Sequence, residues 1–409
     1  MAEPIVLAFS GGLDTSFCVP WLAEHYGRPV ITVTVDTGGL TEDDRTRIEK
    51  LALRLGAAGH HTLDARRDYY RETLAHLLMG NVLRGHLYPL CVGAERALQA
   101  RLVAEVARQQ GAAAVAHGST AAGNDQVRFE VALMTLLPGT EILAPIRDQG
   151  FSREDEVAYL THRGVEWPAA RSAYSVNTGL WGCTIGGRET TDTTGPLPEE
   201  AWILTRGVFD HPLPPEVHVL SFTRGEPAGL DGTPMAPVAL IERLNTLAGG
   251  FGIGRGIHLG DTILGLKGRV AFEAPAATVL IQAHRELEKL TLSARQQRVK
   301  DHVAMAYGDF IHEGQFYDPA CRDIEALLVR SQERVTGDVR LLFRPGSAMA
   351  EGVSSPYSLK DASKSVYGEA AREWTAEDAR GFSRIAGLQG MLFSRAGKNA
   401  PTSLNGSSE

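Results

Sequence analysis

The chain has 409 residues, 43% hydrophobic and 22% charged, which predicts two or three domains, each able to bury a core. A net charge of −8 and the lack of a basic run exclude an extended nucleic-acid footprint. The four cysteines (Cys18, Cys91, Cys183, Cys321) have no CxxC spacing, so neither a disulfide framework nor a metal site is expected, and with no run of about 18 apolar residues the sequence predicts a cytoplasmic protein without a membrane span.

In chain order, Ile5–Ala8 reads as a buried parallel strand, Ser10-Gly11-Gly12 as a tight turn, and Thr15–Tyr26 as a helix. A glycine pair between strand and helix lets the backbone approach an anion, and the helix start aims free N–H groups at the same point. Ser10, Thr15 and Ser16 add hydroxyl donors. No Gly-Lys-Ser/Thr follows, so this is not a Walker loop. The string Ser-Gly-Gly-x-Asp-x-Ser resembles the pyrophosphate-binding loop of ATP pyrophosphatases, which split ATP into AMP and pyrophosphate.

Pro29–Val35 is a second strand, ending at Asp36-Thr37-Gly38-Gly39. Thr41 caps an acidic-start helix that stops at Gly56, and a third strand covers Gly59–Leu63. This alternation predicts a doubly wound parallel sheet with its ligands beyond the strand carboxyl ends. Residues 66–84 and 93–110 read as helices around a Gly/Pro loop, and Ala112–His117 is another buried strand. It runs into Gly118-Ser-Thr-Ala-Ala-Gly-Asn-Asp-Gln-Val-Arg-Phe-Glu130; a strand at Glu141–Ala144 and a helix through Asp155–Thr161 close the lobe.

After about residue 170 short strands and Pro-rich turns take over. Strands are expected at Val217–Phe222 and Ala271–Glu273, helices at Pro237–Ala248 and Ala283–Tyr307, and a strand pair turning at Gly337-Asp338 within Arg334–Phe343. Thr375–Arg395 reads as one helix with an apolar stripe of Phe382, Ile385, Leu388 and Leu392. The expected fold is α/β: a nucleotide-binding domain over 1–169, an α+β domain over 170–360, an oligomerisation segment over 361–395 and a disordered tail over 396–409.

Taken together, several stretches resemble the argininosuccinate synthase family in that family's order. They are Ala8–Ser16, His117-Gly118 with Gly123–Glu130, Tyr174–Gly182, Gly265–Arg269 with Phe272–Ala276, and Ser331–Gly337. The resemblance implies condensation of citrulline with aspartate: the ureido oxygen attacks the α-phosphorus of ATP, and the aspartate amine then displaces AMP. It implies ATP contacts from Ala8, Phe9, Ser10, Gly11, Gly12, Leu13, Asp14, Thr15, Ser16, Val35 and Gly118. Magnesium would be carried in with ATP, and Asp14 would orient the loop or the ion. Aspartate would be held by Thr120, Asn124 and Asp125, with Asp125 a candidate proton acceptor. Citrulline would meet Tyr88, Asn124, Arg128, Ser175, Thr184 and Phe272, and Asp14, Asp125 and Arg128 are the candidate catalytic residues. A homotetramer is implied as well.

The chain departs from the family in the acceptor pocket, with Gly93 for Ser, Gly260 for Glu and Phe272 for Tyr; Ala121-Ala122 also lacks a lysine. Either neighbouring Asp261 supplies the missing carboxylate through a shifted loop, or the acceptor is an N-acylated citrulline. Two other readings compete: a non-catalytic adenine-nucleotide-binding regulator, and a tRNA thiolase using Cys91 and Cys183.

Overall fold

The computed structural model describes residues 2–167 and 174–398. The expected boundary at 169/170 and most of the expected tail, 399–409, lie outside the described residues.

A five-stranded parallel sheet comes first, in the order β3-β2-β1-β4-β5. Its strands are β1 (Ile5–Ala8), β2 (Val30–Asp36), β3 (Gly59–Asp64), β4 (Ala114–Ala116) and β5 (Glu141–Leu143). Helix α1 (Leu13–Tyr26) follows β1, and α2 (Glu42–Arg54) joins β2 to β3. A Thr41–Asp44 capping box fixes the start of α2, as the sequence suggested. Between β3 and β4 run α3 (Arg66–Tyr69), a π-helical turn (Tyr70–Leu74), α4 (Ala75–Met79), a 3₁₀ turn (Gly93–Glu95) and α5 (Arg96–Gln109). The expected 66–84 helix is thus irregular and stops at Gly80. Helix α6 (Asn124–Leu136) links β4 to β5; α7 (Pro145–Gln149) and α8 (Arg153–His162) follow. Apolar residues of β1 and β4 alternate between two cores, Ile5, Leu7, Ala114 and Ala116 on one face and Val6 and Val115 on the other, as a sheet covered on both sides requires.

Two antiparallel sheets make up the second half. One has the order β11-β12-β7-β6, from β6 (Ser175–Gly179), β7 (Gly182–Gly186), β11 (Arg255–Asp261) and β12 (Lys267–Glu273). The other, β10-β9-β8-β13-β14, uses β8 (Glu216–Thr223), β9 (Glu226–Leu230), β10 (Thr233–Pro234), β13 (Gly337–Arg344) and β14 (Ser347–Ser354). Four helices accompany them: α9 (Pro237–Gly250), α10 (Pro275–Thr291), α11 (Ala294–Glu313) and α12 (Pro319–Ser331).

Two expectations are corrected in this half. The single helix over Ala283–Tyr307 is two, because Leu292 is extended and Ser293 opens a new capping box with Gln296. The strand pair within Arg334–Phe343 is one strand, and the chain turns instead near Gly346, whose φ is +74°. The largest core combines residues Ala65–Leu98 with residues Leu180–Phe343, so Met1–Tyr357 is one compact unit.

Ser358–Glu409 is a separate unit. It contains α13 (Leu359–Ala362), α14 (Ala376–Ala386) and α15 (Leu388–Lys398). The expected Thr375–Arg395 helix is divided at Gly387.

Candidate functional site

The Ser10–Ser16 loop forms where β1 ends. Thr34 Oγ1 donates to the Phe9 carbonyl at 2.7 Å and the Phe9 amide donates to Val33 O at 2.8 Å, so Ala8-Phe9 are held as an extension of the sheet beside half-buried Val35. The loop is closed by its own hydroxyls. Ser10 N donates to Thr15 Oγ1 (3.3 Å), Gly12 N donates to Ser10 Oγ (3.2 Å), and Thr15 Oγ1 donates to Gly12 O (3.3 Å). Gly11 carries the left-handed conformation (φ +71°), whereas Gly12 is extended at φ −77° and exposed. The left-handed backbone of the glycine pair therefore belongs to Gly11 and not to Gly12. Leu13 and Ser16 are buried, and Ser16 Oγ has no hydrogen-bond partner among the described residues.

Gly118, just past β4, packs against this loop. A Cβ there would stand 3.0 Å from Thr15 Cγ2 and 3.1 Å from Thr15 N. The loops after β1 and β4 can therefore meet only because residue 118 lacks a side chain. Behind α1, Glu156 of α8 lies beside Asp14 and is 1% exposed, and its Oε2 has no hydrogen-bond partner among the described residues. Burial first, and then the Asp14 charge, push Glu156 up to about 8.

From the loop after β4, Thr120 O accepts from Gly123 N, and α6 starts at Asn124 with Thr120 exposed nearby. Asp125 joins two guanidiniums: Arg96 Nε at 3.0 Å and Arg128 Nη1 at 2.9 Å. Burial opposes its ionisation, but these charges prevail and hold its carboxyl at about 2. Arg96 also binds Glu95, which accepts a short bond from Thr37 Oγ1; burial raises Glu95 to about 7. Arg128 is fixed from the other side by His312, donating through Nε to its carbonyl at 2.8 Å.

The second half supplies the facing wall. Tyr88 stacks on His258 (5.5 Å between centroids, 20° between planes) and tilts against Phe272 (5.1 Å). Phe272 pairs in register with Thr184 and Gly256, and Thr184 with Asn177, which accepts from Arg96. Strand alternation puts Ser175 on the same face as Asn177. Asn124 Oδ1 accepts from Ile263 N at 2.9 Å, tying α6 to the β11–β12 turn.

Asp261 is not brought to this wall. The β11–β12 register is regular, with Gly260 opposite Gly268 and Asp261 opposite Lys267. Asp261 therefore lies on the sheet face opposite His258, Gly260 and Phe272, its exposed carboxylate 2.5 Å from Lys267. The loop shift that would have placed it in the pocket is absent because all seven β11–β12 pairs stay in register.

Sequence reasoning missed Arg84, Glu95, Arg96, Asn177, His258, His312 and Glu156. Asn177 lay within the Tyr174–Gly182 stretch already quoted; the others sit in segments with no local motif, and only tertiary packing gathers them. Cys91 and Cys183 are buried neighbours, Cys91 Sγ donating to Cys183 O at 3.8 Å, and burial raises both thiols, Cys91 to about 12. That chemistry suits small core residues rather than sulfur transfer.

A parallel sheet with a Gly-Gly loop after its first strand, packed in one unit with two antiparallel sheets, is an α/β arrangement of the kind that binds nucleotides beyond the strand carboxyl ends. Two family models match: "Arginosuccinate synthase N-terminal HUP domain" over residues 4–166 and "Arginosuccinate synthase C-terminal domain" over residues 174–393. Among curated relatives, the argininosuccinate synthase of a Synechocystis species is 39% identical over 389 residues, covering 95% of this chain and 96% of its own. That of Dehalococcoides mccartyi is 38% identical (96% of each chain), and that of Methanocaldococcus jannaschii 36% identical (96% of this chain, 98% of its own). The chain belongs to the argininosuccinate synthase family, ATP-binding ligases of arginine biosynthesis. Among the described residues no helix is long and apolar enough to cross a membrane.

Proposed function

We propose that this chain condenses a ureido acceptor of the citrulline class with aspartate, forming argininosuccinate or its analogue with release of AMP and pyrophosphate. The observation that carries this reading is the contact of the Gly118 loop with Thr15 of the phosphate loop, with Asn124, Asp125 and Arg128 following directly on α6. That proximity supports an α-phosphate position next to a nitrogen-donor position, and alignment of bound reactants is most of what this chemistry needs.

In the first step the ureido oxygen bonds to the α-phosphorus as the bond to pyrophosphate breaks. The loop amides, the α1 N-terminus and the Ser10, Thr15 and Ser16 hydroxyls neutralise charge on the phosphates. Magnesium arriving with ATP would add positive charge there, and Asp14 would be the carboxylate to hold it. Among the described residues no cluster of three or more ligating side chains forms a metal site of the chain's own. In the second step the aspartate amine bonds to the ureido carbon, AMP leaves, and the amine proton goes to water or the departing phosphate. A carboxyl held at about 2 is a poor base, so Asp125 anchors the incoming ammonium and fixes Arg128, and does not accept the proton. Thr120 and Asn124 complete the aspartate site; Tyr88, Arg128, Ser175, Thr184 and Phe272 line the acceptor site.

We further place the enzyme in the cytoplasm as a homotetramer assembled through the C-terminal segment. Free, buried thiols and the exposed apolar residues of α14 and α15 support this. The test of the reaction is pyrophosphate release from ATP that requires aspartate and a ureido compound together. No release with any ureido compound would return the regulator reading.

A further inference from the structure

The acceptor wall is furnished with cationic and imidazole groups. Arg84 reaches the carbonyl of Asp261, and Arg128 Nη2 lies 3.2 Å from His312 Nδ1. Three glycines make room for these groups. A Cβ at Gly260 would stand 2.5 Å from His258 Nε2, one at Gly85 would stand 3.0 Å from His258 Cε1, and one at Gly93 would stand 3.0 Å from Arg128 Cζ. The space is thus occupied by the protein's own imidazole and guanidinium.

The neighbouring carboxylates are already engaged. Asp125 is shared by Arg96 and Arg128 and is assigned above to the aspartate ammonium, Asp309 is paired with Arg84 at 2.8 Å, and Asp261 faces the other side of its sheet. Burial and the Arg84 charge hold His258 below its ordinary range; burial, Arg128 and Arg84 take His312 down to about 3. Burial is the larger cause of both shifts, and the Arg84 and Arg128 charges add to it. An ammonium entering here would meet Arg84 and Arg128 with no carboxylate partner to spare, and an unpaired buried charge is strongly disfavoured. A carboxylate would meet planar guanidinium donors.

Resting on the reaction proposed above, we infer that the acceptor is a ureido carboxylic acid whose α-amine is absent or acylated, and that His258 sets this preference. Substrate enters with its carboxylate toward the Arg84–Arg128 side and its uncharged flank against the Tyr88–His258–Phe272 wall.

The test is pyrophosphate release at saturating ATP and aspartate with citrulline, N-acetylcitrulline and δ-ureidovalerate, which lacks the amine. We expect kcat/KM for one of the latter two to exceed that for citrulline by roughly tenfold or more. His258→Glu, which places a carboxylate at the wall, should reverse the ratio toward citrulline. The double variant His258→Ala/Gly260→Glu, with the carboxylate on the same strand face and the ring removed, is the second route to that reversal. A wild-type enzyme that prefers citrulline overturns the inference, as does a ratio unmoved by both variants. No release with any of the three compounds overturns the reaction itself, which distinguishes the two failures.

Discussion

Gly11 and Gly12 look alike in the sequence but have different duties. Gly12 has a backbone that any residue adopts, and a Cβ would lie 3.2 Å from Ser10 Oγ, on the exposed side of the loop. Gly12→Ala should therefore fold normally while the KM for ATP rises about tenfold or more, read by steady-state kinetics beside a thermal melt. Gly11→Ala should cost about 1–2 kcal/mol of stability, because φ is +71° and Ile48 Cγ1 lies 3.1 Å from the new methyl. An unchanged KM in Gly12→Ala would remove the phosphate-cradle assignment. Asp125→Asn takes one anion from two guanidiniums; with its side chain 34% exposed, a stability loss of about 1–3 kcal/mol is expected. ATP–pyrophosphate exchange supported by the ureido acceptor should survive at a reduced level, while overall condensation falls at least tenfold further. Equal loss of both would make Asp125 a purely structural residue.

Helix α8 brings a pH dependence to the element it packs on. Glu156 is buried against α1 beside Asp14, and its carboxyl is raised from 4.5 to about 8. The folded chain thus holds a proton that the unfolded chain gives up. Stability from this source is complete below about 4.5 and is lost as pH rises through about 8, on the order of a few kcal/mol in all. Glu156→Gln keeps the shape without the charge, so its melting temperature should fall less between pH 6 and pH 9 (roughly the window set by this shift) than that of the parent. Parallel melting curves would show that Glu156 does not titrate against Asp14.

At the scale of the whole molecule, the C-terminal unit carries a run of exposed apolar side chains, with Phe382 74% and Ile385 75% exposed. Side chains of that size left in water favour a partner, and a closed oligomer is the usual arrangement. Removing residues 373–409 should lower the mass seen by sedimentation velocity from tetramer to a smaller species. A full-length protein that sediments as a monomer would refute the assembly.

Local chemistry was enough to read the parallel sheet and most of its flanking helices, the irregular 66–84 segment apart. Alternating strands and helices, the Gly-Gly turn and the Thr41 cap are decisions made within a few residues by propensity, periodicity and hydrogen bonding close along the chain. The same is true of the Asn124-Asp125 start of α6. The acceptor wall was not readable in that way. Asp261 and Gly260 are adjacent in sequence yet face opposite sides of a sheet, and the register that separates them depends on pairing with Lys267 and Gly268. His258, Arg84 and His312 come from separate elements, and they meet at Tyr88 and Arg128 through packing between sequence-distant strands and helices. A carboxylate's presence in the string therefore said nothing about which charge the pocket would present, since that follows from side-chain direction and long-range pairing.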